Sequence, residues 1–186
     1  MPKFNSLQDI YIDGLRDIYN VETQLVKALP RLSKSVTHDE LRTAMDDHLR
    51  ETEGQVDRIE QIFEMLGMKV RGKKCISMES ILEETRELIS MDIDENALDA
   101  ALIGGLQKIE HYEIASYGTL KSWANQLGFD DQAALLDETL YEEKSGNDKL
   151  TKIAESLVNA EANRGETAFV TEGGAYSHNG HSSKRR

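Results

Sequence analysis

The sequence contains a single cysteine, Cys75, and only two prolines, Pro2 and Pro30, among its 186 residues. One cysteine excludes an internal disulfide, and so little proline leaves room for long helices. No apolar run reaches the roughly 18 to 20 residues that a membrane-spanning helix needs. The first residues also lack the basic segment, apolar run and cleavage site of a secretory signal. These absences predict a helical, cytoplasmic protein.

Positive charge is scarce as well, because 34 acidic residues stand against 22 basic ones and give a formal net charge of -12. No basic stripe occurs before the run Lys184, Arg185 and Arg186. An acidic chain repels phosphate groups, so we expect neither nucleic acid nor a membrane as a partner. The length suits one domain with a sizeable core.

Apolar residues recur at helical spacing in four long stretches. The pattern predicts long helices over residues 6–35, 37–67, 95–127 and 130–163. The second helix is expected to open on a capping box made by Thr37 and Glu40. A shorter amphipathic helix over about 77–89 lies in the long connection between the two pairs. This layout predicts an all-α four-helix bundle with one long crossover that carries a short extra helix.

The end of the chain changes in composition. Residues 164–186 are rich in Gly, Ser, Asn and His and show no periodicity. They predict a flexible tail that follows a helical domain of residues 1–163.

Polar residues interrupt the apolar stripes near the middle of each long helix. Glu22 interrupts the first stripe, and Glu113 interrupts the third, with Glu110 one turn earlier. The second stripe turns polar at His48, Thr52 and Gln55, and Glu51 lies one turn from both His48 and Gln55. Antiparallel packing would bring these levels together inside the bundle.

The fourth helix offers two neighbouring acids, Glu142 and Glu143. The apolar stripe favours Glu143 as the inward residue, because it lies between Leu140 and Leu150. The 29-residue interval from Glu22 to Glu51 favours Glu142 instead, since Glu142 lies 29 residues after Glu113. The sequence alone leaves both assignments open.

A buried group of carboxylates needs positive charge, because each unpaired carboxylate costs several kcal/mol to bury and like charges repel. The interrupted stripes supply no Lys or Arg. A pair of metal ions bound by the carboxylate oxygens would supply this positive charge. The candidate metal ligands are Glu22, His48, Glu51, Glu110, Glu113 and Glu143. For His48, direct ligation, orientation of another ligand and a satisfied interior histidine are all open.

Five stretches of the chain resemble the YciE/YciF family of bacterial ferritin-like stress proteins, and its YciF branch more closely. They are LRDIYNVETQL (15–25), HLRETEGQVDRIEQIFE (48–64), KKCISMESILEE (73–84), KIEHYEIASYGTL (108–120) and LLDETLYEEKSGNDKL (135–150). The resemblance covers about residues 5–160. It implies a ferritin-like four-helix bundle, a homodimer, a di-iron centre and a role in stress responses.

The chain departs from the wider ferritin-like pattern, which places Glu-x-x-His on the second and fourth helices. Gly54 follows Glu51 by three residues, and Ser145 or Gly146 follows the helix-four acid. The predicted site is therefore rich in carboxylates and poor in nitrogen ligands.

The leading hypothesis is a non-haem di-iron protein with two iron ions per chain. Dioxygen or peroxide would be its reactant, in ferroxidase or peroxide-reducing chemistry. One alternative keeps the site but places manganese in it, with catalase-like chemistry. The other is a metal-free or vestigial bundle that acts as an oligomeric structural stress protein.

Overall fold

The computed structural model describes residues 4–164. All regular secondary structure in this part of the chain is helical, and it contains no strand. The elements are α1 (Leu7–Ser33), α2 (Asp39–Met65), α3 (Ile76–Ser90), α4 (Glu95–Leu127), α5 (Asp130–Ile153), a π-helical turn (Ala154–Val158) and α6 (Asn159–Asn163). The predicted tail, residues 164–186, lies outside the described residues except for Arg164. Its flexibility stays a prediction.

The four long helices α1, α2, α4 and α5 form the bundle, and α3 packs against α4 and α1. Gly14, early in α1, lies against Leu120, late in α4. At the opposite end, Thr37 after α1 bonds to Asp99, early in α4. The connection that carries α3 therefore crosses the length of the bundle. The predicted all-α bundle with one long crossover is confirmed.

Local signals explain where most helices begin and end. Ser6 and Asp9 form a reciprocal capping box at the start of α1. Gly67 (φ 65°) and Gly128 (φ 73°) follow α2 and α4 in the left-handed conformation that glycine adopts without a steric penalty. Pro30 lies in the last turns of α1 without ending the helix.

The capping box predicted at Thr37 is wrong, because α2 begins only at Asp39 and no side chain of its own caps it. Asp99 of α4 caps it instead. Its carboxylate accepts hydrogen bonds from the Thr37 amide (3.1 Å) and hydroxyl (2.7 Å) and from the His38 amide (2.8 Å). A carboxylate from a neighbouring helix thus satisfies donors that the helix start leaves free. This cap exists only through tertiary structure.

The apolar core fills both ends of the bundle. Leu29, Leu41 and Leu102 are buried at the end near the α1–α2 turn, and Tyr11 and Phe63 are buried at the other end. The middle of the bundle interior is polar. None of the helices within residues 4–164 has the combination of length and apolar character required to cross a membrane.

Candidate metal centre

Each of the four long helices contributes at least one polar side chain to the same level of the bundle interior. The exposed fraction is 0% for Glu22, Gln55 and Glu113, 1% for Glu143, 2% for Glu110 and 7% for His48. We call these six side chains "the cluster": Glu22 (α1), His48 and Gln55 (α2), Glu110 and Glu113 (α4), and Glu143 (α5).

Helical spacing explains how one helix can offer two of these groups. Glu110 and Glu113 are three residues apart and therefore lie on one face of α4. His48 and Gln55 are seven residues apart, two turns along one face of α2, with the buried Thr52 between them. The Thr52 hydroxyl donates to the His48 carbonyl (2.8 Å), so it is occupied within its own helix.

Four members of the cluster converge closely enough to share one ion. His48, Glu110, Glu113 and Glu143 each offer a ligand atom, and these atoms all lie within 4.8 Å of one another. His48 Nδ1 is 3.8 Å from Glu110 Oε1. Glu22 completes the cluster from α1, where its Oε1 accepts a hydrogen bond from the Tyr117 hydroxyl at 2.5 Å.

The cluster holds most of the unpaired buried polar atoms of the described chain. Of nine such side-chain atoms within residues 4–164, seven belong to it. They are Glu22 Oε2, His48 Nε2, Gln55 Oε1, Glu110 Oε2, both carboxylate oxygens of Glu113, and Glu143 Oε2. Buried polar groups are almost always hydrogen-bonded, so seven unpaired atoms in one place indicate that the cluster is suited to bind a ligand. Every atom of the set is a metal-ligand type, which fits a cation.

Burial controls the charge state of the cluster. Burial, followed by the charge of Glu143, raises the pKa of Glu22 to about 8 and that of Glu110 to about 10. The same causes raise the pKa of Glu113 well above its usual range, and burial raises the pKa of Glu143 to about 7. Burial also lowers the pKa of His48 to about 4, so its imidazole stays neutral. Without a cation, the raised pKa values of Glu22, Glu110 and Glu113 favour their protonated forms at neutral pH, and a bound cation would replace these protons.

A chain of polar contacts connects the cluster to the protein surface. The Gln55 amide nitrogen donates to Glu143 Oε1 and to Glu142 Oε2, the latter at 3.1 Å. Arg58 clamps Glu142 through two 2.6 Å hydrogen bonds and reaches Glu138 at 2.6 Å. Glu142 is therefore the bidentate ion-pair partner of Arg58. The sequence left open whether Glu142 or Glu143 faces inward from the fourth long helix, which is α5 in the structure. The residue that faces the interior is Glu143.

Glycine at position 146 makes room for the extra carboxylate of Glu110. A Cβ atom added at Gly146 would lie 3.0 Å from Glu110 Oε1 and 3.1 Å from Oε2. Gly146 follows Glu143 by three residues, where the Glu-x-x-His pattern has its histidine. The Glu110 carboxylate thus lies where a longer side chain from α5 would otherwise reach.

The structure does not bring Glu51 into the cluster. Its side chain is on the exposed side of α2. The interior position of α2 is Thr52, which follows Glu22 by 30 residues, as Glu143 follows Glu113. The 29-residue interval paired Glu51 with Glu142, and both of these acids lie outside the cluster. A ligand role for Glu51 stays a prediction that this geometry does not favour.

A narrow cavity of about 90 Å³ leads from the surface to the cluster between α2, α4 and α5. His48 and Glu110 lie at its inner wall, and Glu51 also lines it. Asp47 and Lys149, which also line it, form an ion pair at 2.6 Å. A space of this size can hold water molecules. Its small volume favours ions, peroxide or dioxygen over a bulky organic substrate.

Sequence reasoning placed Gln55 in the polar seam of the second helix without counting it among the ligands, and it missed Arg58. Gln55 continues the polar seam of His48 and Thr52, and that spacing was the available signal. Arg58 lies one turn beyond Gln55, but a lone arginine on a helix is usually solvent-exposed and did not stand out. Its role appears only when α5 supplies Glu142.

Fold and site together define a class of protein: an all-α bundle with one crossover that encloses a carboxylate-rich cluster suited to a metal ion. The chain belongs to the DUF892 family, described as a domain of unknown function, which matches residues 6–163. It is similar to protein YciF of Escherichia coli (strain K12), with 44% identity over 158 residues that cover 84% of this chain and 95% of that protein.

Solved structures agree with this assignment. The crystal structure of the E. coli stress protein YciF superposes with a TM-score of 0.81 and covers 84% of this chain and 99% of its own. YcfI from Rhodopseudomonas palustris, described provisionally as a structural protein, is 41% identical with a TM-score of 0.79, covering 81% of this chain and 96% of its own. A Xanthomonas campestris protein at 20% identity (TM-score 0.67, covering 87% and 99%) shares the fold alone.

Proposed function

We propose that the protein is a non-haem dinuclear metal protein that binds two iron ions per chain and reacts with peroxide or dioxygen. The observation that carries this proposal is the set of seven unpaired buried ligand atoms at one level of the bundle. An apolar or fully hydrogen-bonded interior would stabilise the fold better, because buried unpaired polar groups cost about 1–3 kcal/mol each. Their retention favours a bound cation.

The donor set favours iron or manganese. Carboxylate oxygens with a single imidazole are hard ligands, whereas zinc or copper sites are usually richer in nitrogen or sulfur. His48, Glu110, Glu113 and Glu143 would hold one ion, and Glu22 would serve the second. Four glutamates also match the charge of two divalent ions.

The chain's own residues would prepare the site for redox chemistry. Tyr117 orients Glu22, and Gln55 orients Glu143, each through a hydrogen bond. The cavity limits access to small molecules. When bound, two ferrous ions would supply the two electrons that reduce peroxide to water with the uptake of two protons, in a ferroxidase or peroxide-reducing reaction.

Anaerobic titration with ferrous iron, followed by peroxide, tests the proposal. We expect about two ions per chain and iron oxidation on peroxide addition. The double variant Glu22→Gln/Glu113→Gln should lose both. Glu53→Gln, which changes an exposed glutamate of α2, is the matched control and should behave as the wild type. Stoichiometry well below two in the wild type, or an unaffected double variant, would defeat the proposal.

Manganese is the alternative metal for the same ligands. Elemental analysis of protein purified without added metal distinguishes the two. A manganese-loaded protein that disproportionates peroxide would assign catalase-like chemistry.

A metal-free structural bundle is the second candidate function. The protons held by the raised-pKa glutamates and the Tyr117–Glu22 hydrogen bond favour it, because they partly satisfy the cluster without a cation. The description of YcfI as a structural protein points the same way. Thermal stability that resists a chelator would support it, since a cation bound only to the native state raises stability by mass action.

We further propose that the protein acts as a cytoplasmic homodimer in a stress response, as its resemblance to the YciF branch implies. Sedimentation of the purified chain tests the dimer.

A further inference from the structure

Gln55 is the one amide side chain in the cluster, and its oxygen is unpaired. Its exposed fraction is 0%, and its Oε1 has no hydrogen-bond partner. The amide nitrogen, by contrast, donates to both Glu142 and Glu143. A carbonyl oxygen could not take the place of that nitrogen beside the Glu142 carboxylate, whose two oxygens accept from Arg58, because two acceptors would then face each other. The orientation of the amide is therefore determined.

Arg58 fixes this orientation from outside the cluster. Its guanidinium binds both oxygens of Glu142 at 2.6 Å, and its side chain is only 17% exposed. A bidentate arginine–carboxylate pair holds the carboxylate in one plane. Glu142 in turn holds the Gln55 nitrogen, so the Gln55 oxygen is the end of the amide that remains for a ligand.

The internal repeat of the chain gives an independent reason. The α1–α2 pair is the first helical hairpin and the α4–α5 pair is the second, and their interior positions correspond at an offset of 91 residues, as Glu22 and Glu113 do. Gln55 then corresponds to Gly146, the position at which the wider pattern has a histidine. In the second hairpin the Glu110 carboxylate fills the space left by Gly146. In the first hairpin the residue that corresponds to Glu110 is Tyr19, which bonds to Glu60 outside the cluster.

We propose that Gln55 ligates the second metal ion through its side-chain amide oxygen, taking the role in the first hairpin that Glu110 takes in the second. This inference rests on the proposed metal-binding function. A neutral oxygen ligand at this position adds no fifth negative charge to the four buried glutamates. Side-chain amide oxygens are ordinary ligands for hard divalent ions.

Manganese binding, which needs no exclusion of air, tests the proposal. Isothermal titration with MnCl2 should give two ions per chain for the wild type. Gln55→Leu removes the oxygen at nearly constant volume, so one ion should be lost or its affinity should fall at least about tenfold.

Gln132→Leu is the matched control, because Gln132 is also a buried glutamine (6% exposed) but bonds to Tyr11 at the end of the bundle. It should bind two ions. The rise in melting temperature on Mn²⁺ addition, compared for each variant with its own metal-free form, separates binding from any change in the fold. In crystals soaked with MnCl2, anomalous density should lie within bonding distance of Gln55 Oε1.

Two results would overturn the proposal while leaving the metal site intact: Gln55→Leu that binds both ions with wild-type affinity, or anomalous density for two ions of which neither lies within bonding distance of Gln55 Oε1. A wild-type protein that binds no Mn²⁺ and no Fe²⁺ would instead remove the proposed function itself, and this inference with it.

Discussion

The metal-free protein should become more stable on mild acidification, which is the reverse of what most acidic proteins do. Glu22 and Glu110 have folded-state pKa values of about 8 and about 10, against an ordinary value of 4.5. Between pH 5 and pH 7 the folded protein therefore holds two protons at these residues that the unfolded chain releases. A raised folded-state pKa contributes stability that is complete below 4.5 and is lost as the pH rises towards the folded value.

The size of the effect follows from proton counting. Each retained proton changes the free energy of unfolding by about 1.4 kcal/mol per pH unit, so Glu22 and Glu110 contribute about 5 kcal/mol between pH 7 and pH 5. His48 opposes them, because its pKa is lowered from 6.5 to about 4 and the unfolded histidine takes up a proton in this range. That removes about 2 kcal/mol and leaves a net gain of about 3 kcal/mol at pH 5. The raised pKa values of Glu113 and Glu143 add to this gain in the same direction.

Urea denaturation of chelator-treated protein at pH 5, 6 and 7, followed by circular dichroism, measures this gain. The double variant Glu22→Gln/Glu110→Gln cannot titrate at these positions, so it should lack their contribution of about 5 kcal/mol. The metal-loaded protein should also be less stable at pH 5 than at pH 7, because a bound cation requires deprotonated ligands.

A free energy of unfolding for the metal-free wild type that declines from pH 7 to pH 5 would refute this reasoning. So would a double variant with the same pH slope as the wild type, because the protons would then belong to other groups.

Three further predictions concern positions around the cluster and the cap of α2. Arg58→Ala leaves a partly buried carboxylate without its counter-ion and should lower the free energy of unfolding by about 2 kcal/mol in urea titrations; an unchanged midpoint would contradict this. Asp99→Asn weakens the cap of α2 and should cost about 1 kcal/mol by the same assay, whereas a neutral effect would show that the charge of the cap is unimportant. Gly146→Ala puts a methyl group 3.0 Å from Glu110 Oε1 and should lower Mn²⁺ affinity about tenfold, while Gly118→Ala, with nothing within 4 Å, should leave it unchanged.

The fold could be predicted because helical periodicity is a local signal that long helices repeat many times. The third long helix was predicted over 95–127 and is observed as Glu95–Leu127, closed by Gly128 as expected. The start of α2 could not be predicted in the same way. Thr37 and Glu40 have the spacing of a capping box, but the carboxylate of Asp99 takes the donors instead. That competition depends on a contact between residues 62 positions apart.

The inward-facing glutamates were predictable where an acid interrupts an otherwise apolar stripe, as Glu22 and Glu113 do. The prediction was weaker for α2, because its interior seam at this level contains threonine and glutamine rather than acids. Matching acid to acid then selected Glu51, which is one residue, or about 100° around the helix, from the interior position of Thr52. The register of the hairpins, rather than residue type, decides which side chain faces inward.

The two hairpins have different residues at the corresponding positions 55 and 146. These are the positions at which the Glu-x-x-His pattern has its histidines. At the level of Gly146, α5 offers no side chain, and the Glu110 carboxylate occupies that space. At the corresponding level of α2, the buried side chain of Gln55 occupies the space, and its nitrogen donates hydrogen bonds to Glu142 and Glu143. A histidine at position 146 would have to displace the Glu110 carboxylate, and a histidine at position 55 would remove the amide that bonds to Glu142 and Glu143. The cluster is therefore rich in oxygen ligands on both sides of the bundle: at each level where the wider pattern has a histidine, the side chain that occupies the space is Glu110 or Gln55.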